Sequence, residues 1–164
     1  MNAKRLGMWL VLCITLLSAA PAAAADKALN ISLFPPVALA KPEDAVTAFR
    51  LDLLYGKNTA TKFVDLGLVN HTTTGLASGL QWGTVNITES QLSGLQMAFL
   101  NFNKGTTNGV QLAGINYAAT GGGLQLAFIN YAEEMNGLQI GAVNIIKKGG
   151  FLPVMIIANW GKKK

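Results

Sequence analysis

Cysteine and histidine each occur once in the 164 residues, and charged residues make up only 13% of the chain. The single cysteine, Cys13, lies inside an N-terminal apolar run that reads as part of an export signal, so cleavage leaves no thiol. That excludes a disulfide framework and a thiolate metal site in the mature protein. Leu12 precedes Cys13 where a lipoprotein signal places a small residue, so no lipid anchor is expected either. His71 has no second histidine to share a zinc ion with, and it is expected to take an apolar repeat position or fill a turn. Adjacent carboxylates occur only at Glu43-Asp44 and Glu133-Glu134. Neighbours on a strand face opposite ways and in a turn both meet water, so neither pair is organised for acid–base work. Gly121-Gly122-Gly123 lacks the Lys-Ser or Lys-Thr that a phosphate loop needs. No catalytic residue, metal or cofactor is therefore expected, and the chain does not read as an enzyme.

Long apolar runs are also absent. The longest near the start, Met8 to Leu17, follows Lys4 and Arg5 and precedes the small residues Ala22 to Ala25. A helical span needs about 20 apolar residues, so this shorter run reads as a signal peptide over residues 1–25. Loss of Lys4 and Arg5 lowers the formal charge from +5 to +3, a surplus equal to the three terminal lysines. The body is then neutral, without the clustered basic face that nucleic acid requires.

What the sequence does have is one phrase in five copies. It opens at Gly79, Gly94, Gly109, Gly123 and Gly137 and closes on Asn86, Asn101, Asn116, Asn130 and Asn144, at intervals of 15, 15, 14 and 14 residues. Counting its Gly as position one, apolar residues fall at two, four, seven and nine. Gln81, Gln96, Gln111, Gln125 and Gln139 hold position three, and the five asparagines hold position eight. Position five is always Gly or Ala, whereas six varies through Thr84, Phe99, Gly114, Phe128 and Ala142. Side chains on a strand alternate strictly. Positions four and seven cannot then share a face unless the chain bends between them.

A corner at five and six gives two short strands per copy, with turn-forming residues closing each coil. The expected fold is an all-β repeat protein, a parallel β-solenoid of about 14–15-residue rungs. The apolar set is expected to point inward, including the aromatics Phe102, Tyr117 and Tyr131 at position nine. The Gln and Asn columns are expected to stack as hydrogen-bonded ladders, and are the candidate binding residues should recognition spread over them and position six. An antiparallel β-meander or a small outer-membrane β-barrel competes, since strands of about 10 residues plus turns also fit the interval. Against it, lipid would meet the polar repeat positions.

The pattern extends upstream to Val64–His71, with Asp65 in place of Gln, and more faintly to Leu51-Asp52-Leu53. Asn30 to Leu39 reads as an extended opening segment, and Pro42 to Phe49 as either a helical turn or a strand. Downstream, Phe151 to Trp160 reads as a last rung with Pro153 at the Gln position, suited to an edge that must not recruit another chain. The organisation expected is a signal peptide (1–25), an N-terminal capping segment with the first irregular strands (26–62), a repeat domain (63–160) and a basic tail (161–164).

With its Gly-Leu-Gln-x-Gly/Ala-x-Val-Asn copies, the chain resembles the bacterial surface repeat-containing proteins. The resemblance takes in Leu51-Asp52-Leu53-Leu54-Tyr55-Gly56, Asp65-Leu66-Gly67-Leu68-Val69-Asn70, and Leu152-Pro153-Val154 with Asn159-Trp160. It implies an exported protein of the cell envelope, periplasm or outer-membrane surface with a structural or interaction role. It supplies no catalytic or binding residue. The partner implied is a cell-envelope or extracellular one, with membrane association open and the oligomeric state unspecified.

Overall fold

The structure is a computed structural model that describes residues 25–162. The predicted signal peptide up to residue 24, and Lys163 and Lys164 of the basic tail, lie outside the described residues. The described residues are mostly strand, with no helix: β1 (Asp26–Phe34), β2 (Val37–Ala38), β3 (Ala45–Asn58), β4 (Ala60–Thr61), β5 (Val64–Thr72), β6 (Leu76–Thr88), β7 (Gln91–Met97), β8 (Leu100–Lys148) and β9 (Val154–Gly161). The segment from Pro42 to Phe49 is thus a turn leading into β3.

Successive copies pair in parallel and in register. Leu80 lies beside Leu95 and Gln81 beside Gln96, while Val85 lies beside Leu100 and Asn86 beside Asn101. The chain is a β-solenoid of about six turns. An antiparallel meander or barrel would pair the copies in opposite directions. Upstream, β5 stacks on β6 from Val64–Leu80 to Thr72–Thr88, and β3 stacks in parallel on β5 with a register shift after Asp52. β1 continues the stack beside β3.

The corner forms where the phase break required it. Ala98 and Phe99 are a bend between β7 and β8, and side chains change parity across it, so positions three and eight share one face. The sign of that face is the reverse of the expectation. All five Gln and all five Asn are enclosed, at 0–1% exposure, whereas Trp82 is 59%, Ile140 40% and Ile115 38% exposed. The apolar set points outward. A buried amide is not penalised once each of its donors and acceptors is paired, and in-register stacking places an identical amide one rung away. Hydrophobicity alone does not decide which face of such a coil is inside.

The other inward positions are ten (Thr72, Thr88, Asn103, Ala118, Ala132, Ile146) and the residue two before each Gly, such as Ala77, Leu92 and Met135. Only Ala132, Met135 and Ile146 form an apolar cluster among the described buried residues.

The close stacking explains the Gly at position one. A Cβ on Gly79, Gly109 or Gly137 would lie 2.1 Å from the carbonyl oxygen of Phe63, Gly94 or Gly123 in the rung below, far inside van der Waals contact. Gly79 and Gly123 also hold φ of 86° and 98°, which L side chains rarely adopt.

The last segment departs from the expected final rung. β9 runs antiparallel to the end of β8, placing Asn159, not Pro153, opposite Gln139. Reversing direction ends the parallel stack with a short cap. Pro153 sits before β9, its carbonyl accepting from Ile146 N–H.

Candidate functional site

The ten candidate amides form two ladders. In the first, each Gln Nε2 donates to the Oε1 of the preceding rung: Gln96 to Gln81 at 2.6 Å, Gln111 to Gln96 at 3.0 Å, Gln125 to Gln111 at 2.9 Å and Gln139 to Gln125 at 2.7 Å. The Asn ladder runs the other way. Asn86 donates to Asn101, Asn101 to Asn116 and Asn116 to Asn130 at 3.0 Å each, and Asn130 to Asn144 at 2.9 Å. The two rows of amide dipoles therefore oppose each other.

Each Asn also caps the corner. Nδ2 of Asn86 reaches the position-four carbonyl of Met97 at 3.2 Å, and those of Asn101, Asn116 and Asn130 reach Leu112, Leu126 and Ile140 at 3.1, 3.1 and 2.9 Å. One Asn thereby ties its own rung to both the side chain and the bend of the next. All ten amides are enclosed and engaged with one another or with backbone, so none presents its side chain to solvent. Position six does face outward, with Phe99 at 68% and Phe128 at 70% exposure.

The Gln ladder ends on buried charge. Gln81 Nε2 donates to Asp65 Oδ2 at 2.9 Å, and Asp65 accepts Arg50 Nε at 2.6 Å and Nη2 at 2.5 Å. Arg50 occupies the same column one rung earlier, beside Asn30. This replacement of amides by a bidentate ion pair continues the ladder in charged form. The sequence reading noticed Asp65 in the Gln column but missed Arg50. Aligning the faint upstream copy on Leu51-Asp52-Leu53 puts Asp52 in that column, whereas Arg50 lies beside Asp65 and Asp52 beside Gly67 at position five.

Asp52 is a second carboxylate in that interior, 3.0 Å from Arg50 Nε. The Nε–H is directed to Asp65, so Asp52 receives charge from the guanidinium but no hydrogen bond, and neither of its oxygens has a partner among the described residues. Burial, only partly offset by Arg50, pushes its pKa up to about 7. A side chain on Gly56 would collide with the Asp52 carboxyl, and Gly56 pairs with Asn70. The Asp52 carboxyl therefore fills the Asn column one rung before Asn70, whose Oδ1 is likewise unpartnered.

His71 falls at position nine, as expected for one of its two readings, between Lys57 and Ile87. Its Nδ1 is 2.6 Å from the Tyr55 hydroxyl and its Nε2 is 3.3 Å from Glu89 Oε1. That second contact lies within ion-pair distance but lacks hydrogen-bond alignment. Desolvation lowers the His71 pKa despite Glu89. Glu89 in turn pairs with Lys104 at 3.0 Å. No group of three or more metal-ligating side chains occurs among the described residues.

The position-nine aromatics stack on the outside, correcting the expectation of core packing. Ring centroids are 4.4 Å apart for Phe102–Tyr117 and 5.3 Å for Tyr117–Tyr131. No protein-family model, curated protein or solved structure matches the chain.

Proposed function

We propose that the chain is an exported, non-enzymatic repeat protein of the bacterial cell envelope, with a structural or interaction role. The observation carrying this reading is that the repeated Gln and Asn side chains are used up inside the coil. What remains for recognition is the outward set: apolar residues at two, four, seven and nine, and the variable position six. Conserving the scaffold while varying its outer edge suits a display surface better than a reaction centre. The N-terminal signal and the resemblance to surface repeat-containing proteins support the location.

The test is expression of residues 1–164 in a bacterial host, followed by fractionation and N-terminal sequencing. Cleavage near Ala25 with recovery in the envelope fraction is the expected result. Uncleaved protein retained in the cytoplasm would overturn the reading.

A further inference from the structure

The exposed charge of this solenoid lies along one edge. Within each copy, positions two to nine carry no charged residue from Leu80 to Ile145. From Lys62 to Lys148 the exposed charged groups come after position ten or before the Gly: Lys62, Glu89, Lys104, Glu133, Glu134, Lys147 and Lys148. In the earlier rungs Arg50, Asp52 and Asp65 are exceptions by sequence but are enclosed, and Lys57 is exposed at position nine, beside His71 at the limit of the flank.

The opposite edge is the corner at position six, which is uncharged from end to end and mostly apolar, with Thr84 and Gly114 between its large side chains. Leu53, Leu54, Leu68, Phe99, Phe128 and Ile156 lie along it, with exposures of 50–72%. Both flanks leading away from the corner are apolar as well. The section is thus a wedge with an uncharged tip and a charged base.

We propose that this corner edge inserts into the headgroup–acyl boundary of a lipid bilayer, with the charged edge left in water; the inference rests on the envelope reading above and names its partner. Three observations favour lipid over a protein occupant. First, the apolar surface wraps around the tip onto both flanks. A second copy seated on one flank would leave the other in water, whereas acyl chains close around both. Second, the limit of the apolar flank is marked by tyrosines. Tyr117 Oη donates to Glu133 at 2.9 Å and Lys147 Nζ lies 5.5 Å from the centre of the Tyr131 ring. Aromatic rings with a wet polar end are the residues that sit at a membrane–water boundary. From position six to position nine is three residues, about 10 Å of strand, which matches the depth of roughly 5–10 Å reached by interfacial elements. Third, the tip carries an open groove of about 450 Å³ lined by Trp82, Thr84, Met97, Phe99 and Leu112, a slot with no charged wall.

The inference predicts binding without anionic lipid, since the inserting edge has no charge to offer. The experiment is flotation of residues 26–164 with phosphatidylcholine vesicles at low and high salt, with Trp160→Phe as the parent so that Trp82 is the sole tryptophan, together with Trp82 emission and its quenching by brominated acyl chains. The expected result is salt-insensitive co-flotation and quenched, blue-shifted Trp emission. The double variant Phe99→Thr/Phe128→Thr places at both sites the residue that Thr84 already provides in that column. It should keep its far-UV spectrum and lose partitioning by about a hundredfold, from the apolar area two rings bury. Lys104→Gln on the opposite edge should bind as the parent does.

Absence of flotation and of quenching would overturn the inference. So would equal binding by the double variant, or a discrete dimer in sedimentation that shuns vesicles. Because purified protein and synthetic lipid are used, these outcomes are independent of whether the chain is exported. Quenching in the parent decides the question even if the double variant fails to fold.

Discussion

Gln125 donates to Gln111 across one rung at 2.9 Å, inside a coil where both side chains are closed to solvent. Since Gln111 also donates to Gln96 at 3.0 Å, removing its amide strands a donor on one side and an acceptor on the other. An unsatisfied buried polar group costs about 1–3 kcal/mol. Gln111→Leu is therefore expected to destabilise the fold by roughly 2–4 kcal/mol in denaturant unfolding, despite being the more hydrophobic residue. An unchanged midpoint would show that the ladder does not hold this position.

That prediction rests on a feature only half legible in the sequence. The corner at positions five and six followed from the apolar set alone, because alternation cannot carry four and seven on one face. The same parity argument places three and eight together on the other face, and nothing in the pattern says which face is enclosed. The usual preference for apolar interiors pointed the wrong way for Trp82, Ile115 and Ile140. Saturation of each amide by the next copy is a property of the stack and cannot be read from one copy. Arg50 was hidden for a different reason: Leu51-Asp52-Leu53 mimics the opening of the phrase and draws the alignment two residues downstream of the true register.

The pH dependence of stability should report Asp52. Its folded pKa is raised to about 7, well above the ordinary carboxylate range, chiefly by burial, so the native state holds a proton that the unfolded chain releases. Stability is then expected to fall as pH rises from about 4 to about 7 and to level above that. In Asp52→Asn, an amide takes the place of the carboxyl in the column that ends at Asn70 Oδ1. That variant should be more stable than the parent at pH 8 and lose the slope, as measured by thermal unfolding across the pH range.

Glycine at position one answers to backbone stacking. In Gly123→Ala the new Cβ would meet Gly109 O at 2.2 Å at a φ of 98°, and neither rung can move without breaking register. A loss of more than about 2 kcal/mol is expected from combined overlap and backbone strain, read from the denaturation midpoint.

Parallel register can be tested by paired cysteines in a Cys13→Ser background, because Cys13 is the sole cysteine of the sequence. Leu80 lies beside Leu95 and Ile87 beside Phe102. The pairs Leu80→Cys/Leu95→Cys and Ile87→Cys/Phe102→Cys should each form a disulfide under mild oxidation. An antiparallel arrangement that brings one pair together separates the other by about 14 residues of strand, roughly 45 Å. Cross-linking of one pair alone would favour that arrangement.

The central claim is that the coil holds its amides inside and its apolar residues outside. Thiol labelling of single cysteines in the folded protein tests it most directly, at neighbouring positions of opposite face: Gln81 and Trp82, Ile115 and Asn116, Gln139 and Ile140. Cysteines replacing Trp82, Ile115 and Ile140 should react readily with a water-soluble maleimide, while those replacing Gln81, Asn116 and Gln139 stay protected until the protein unfolds. Rapid labelling at the Gln and Asn positions, with protection at Trp82, Ile115 and Ile140, would contradict the account.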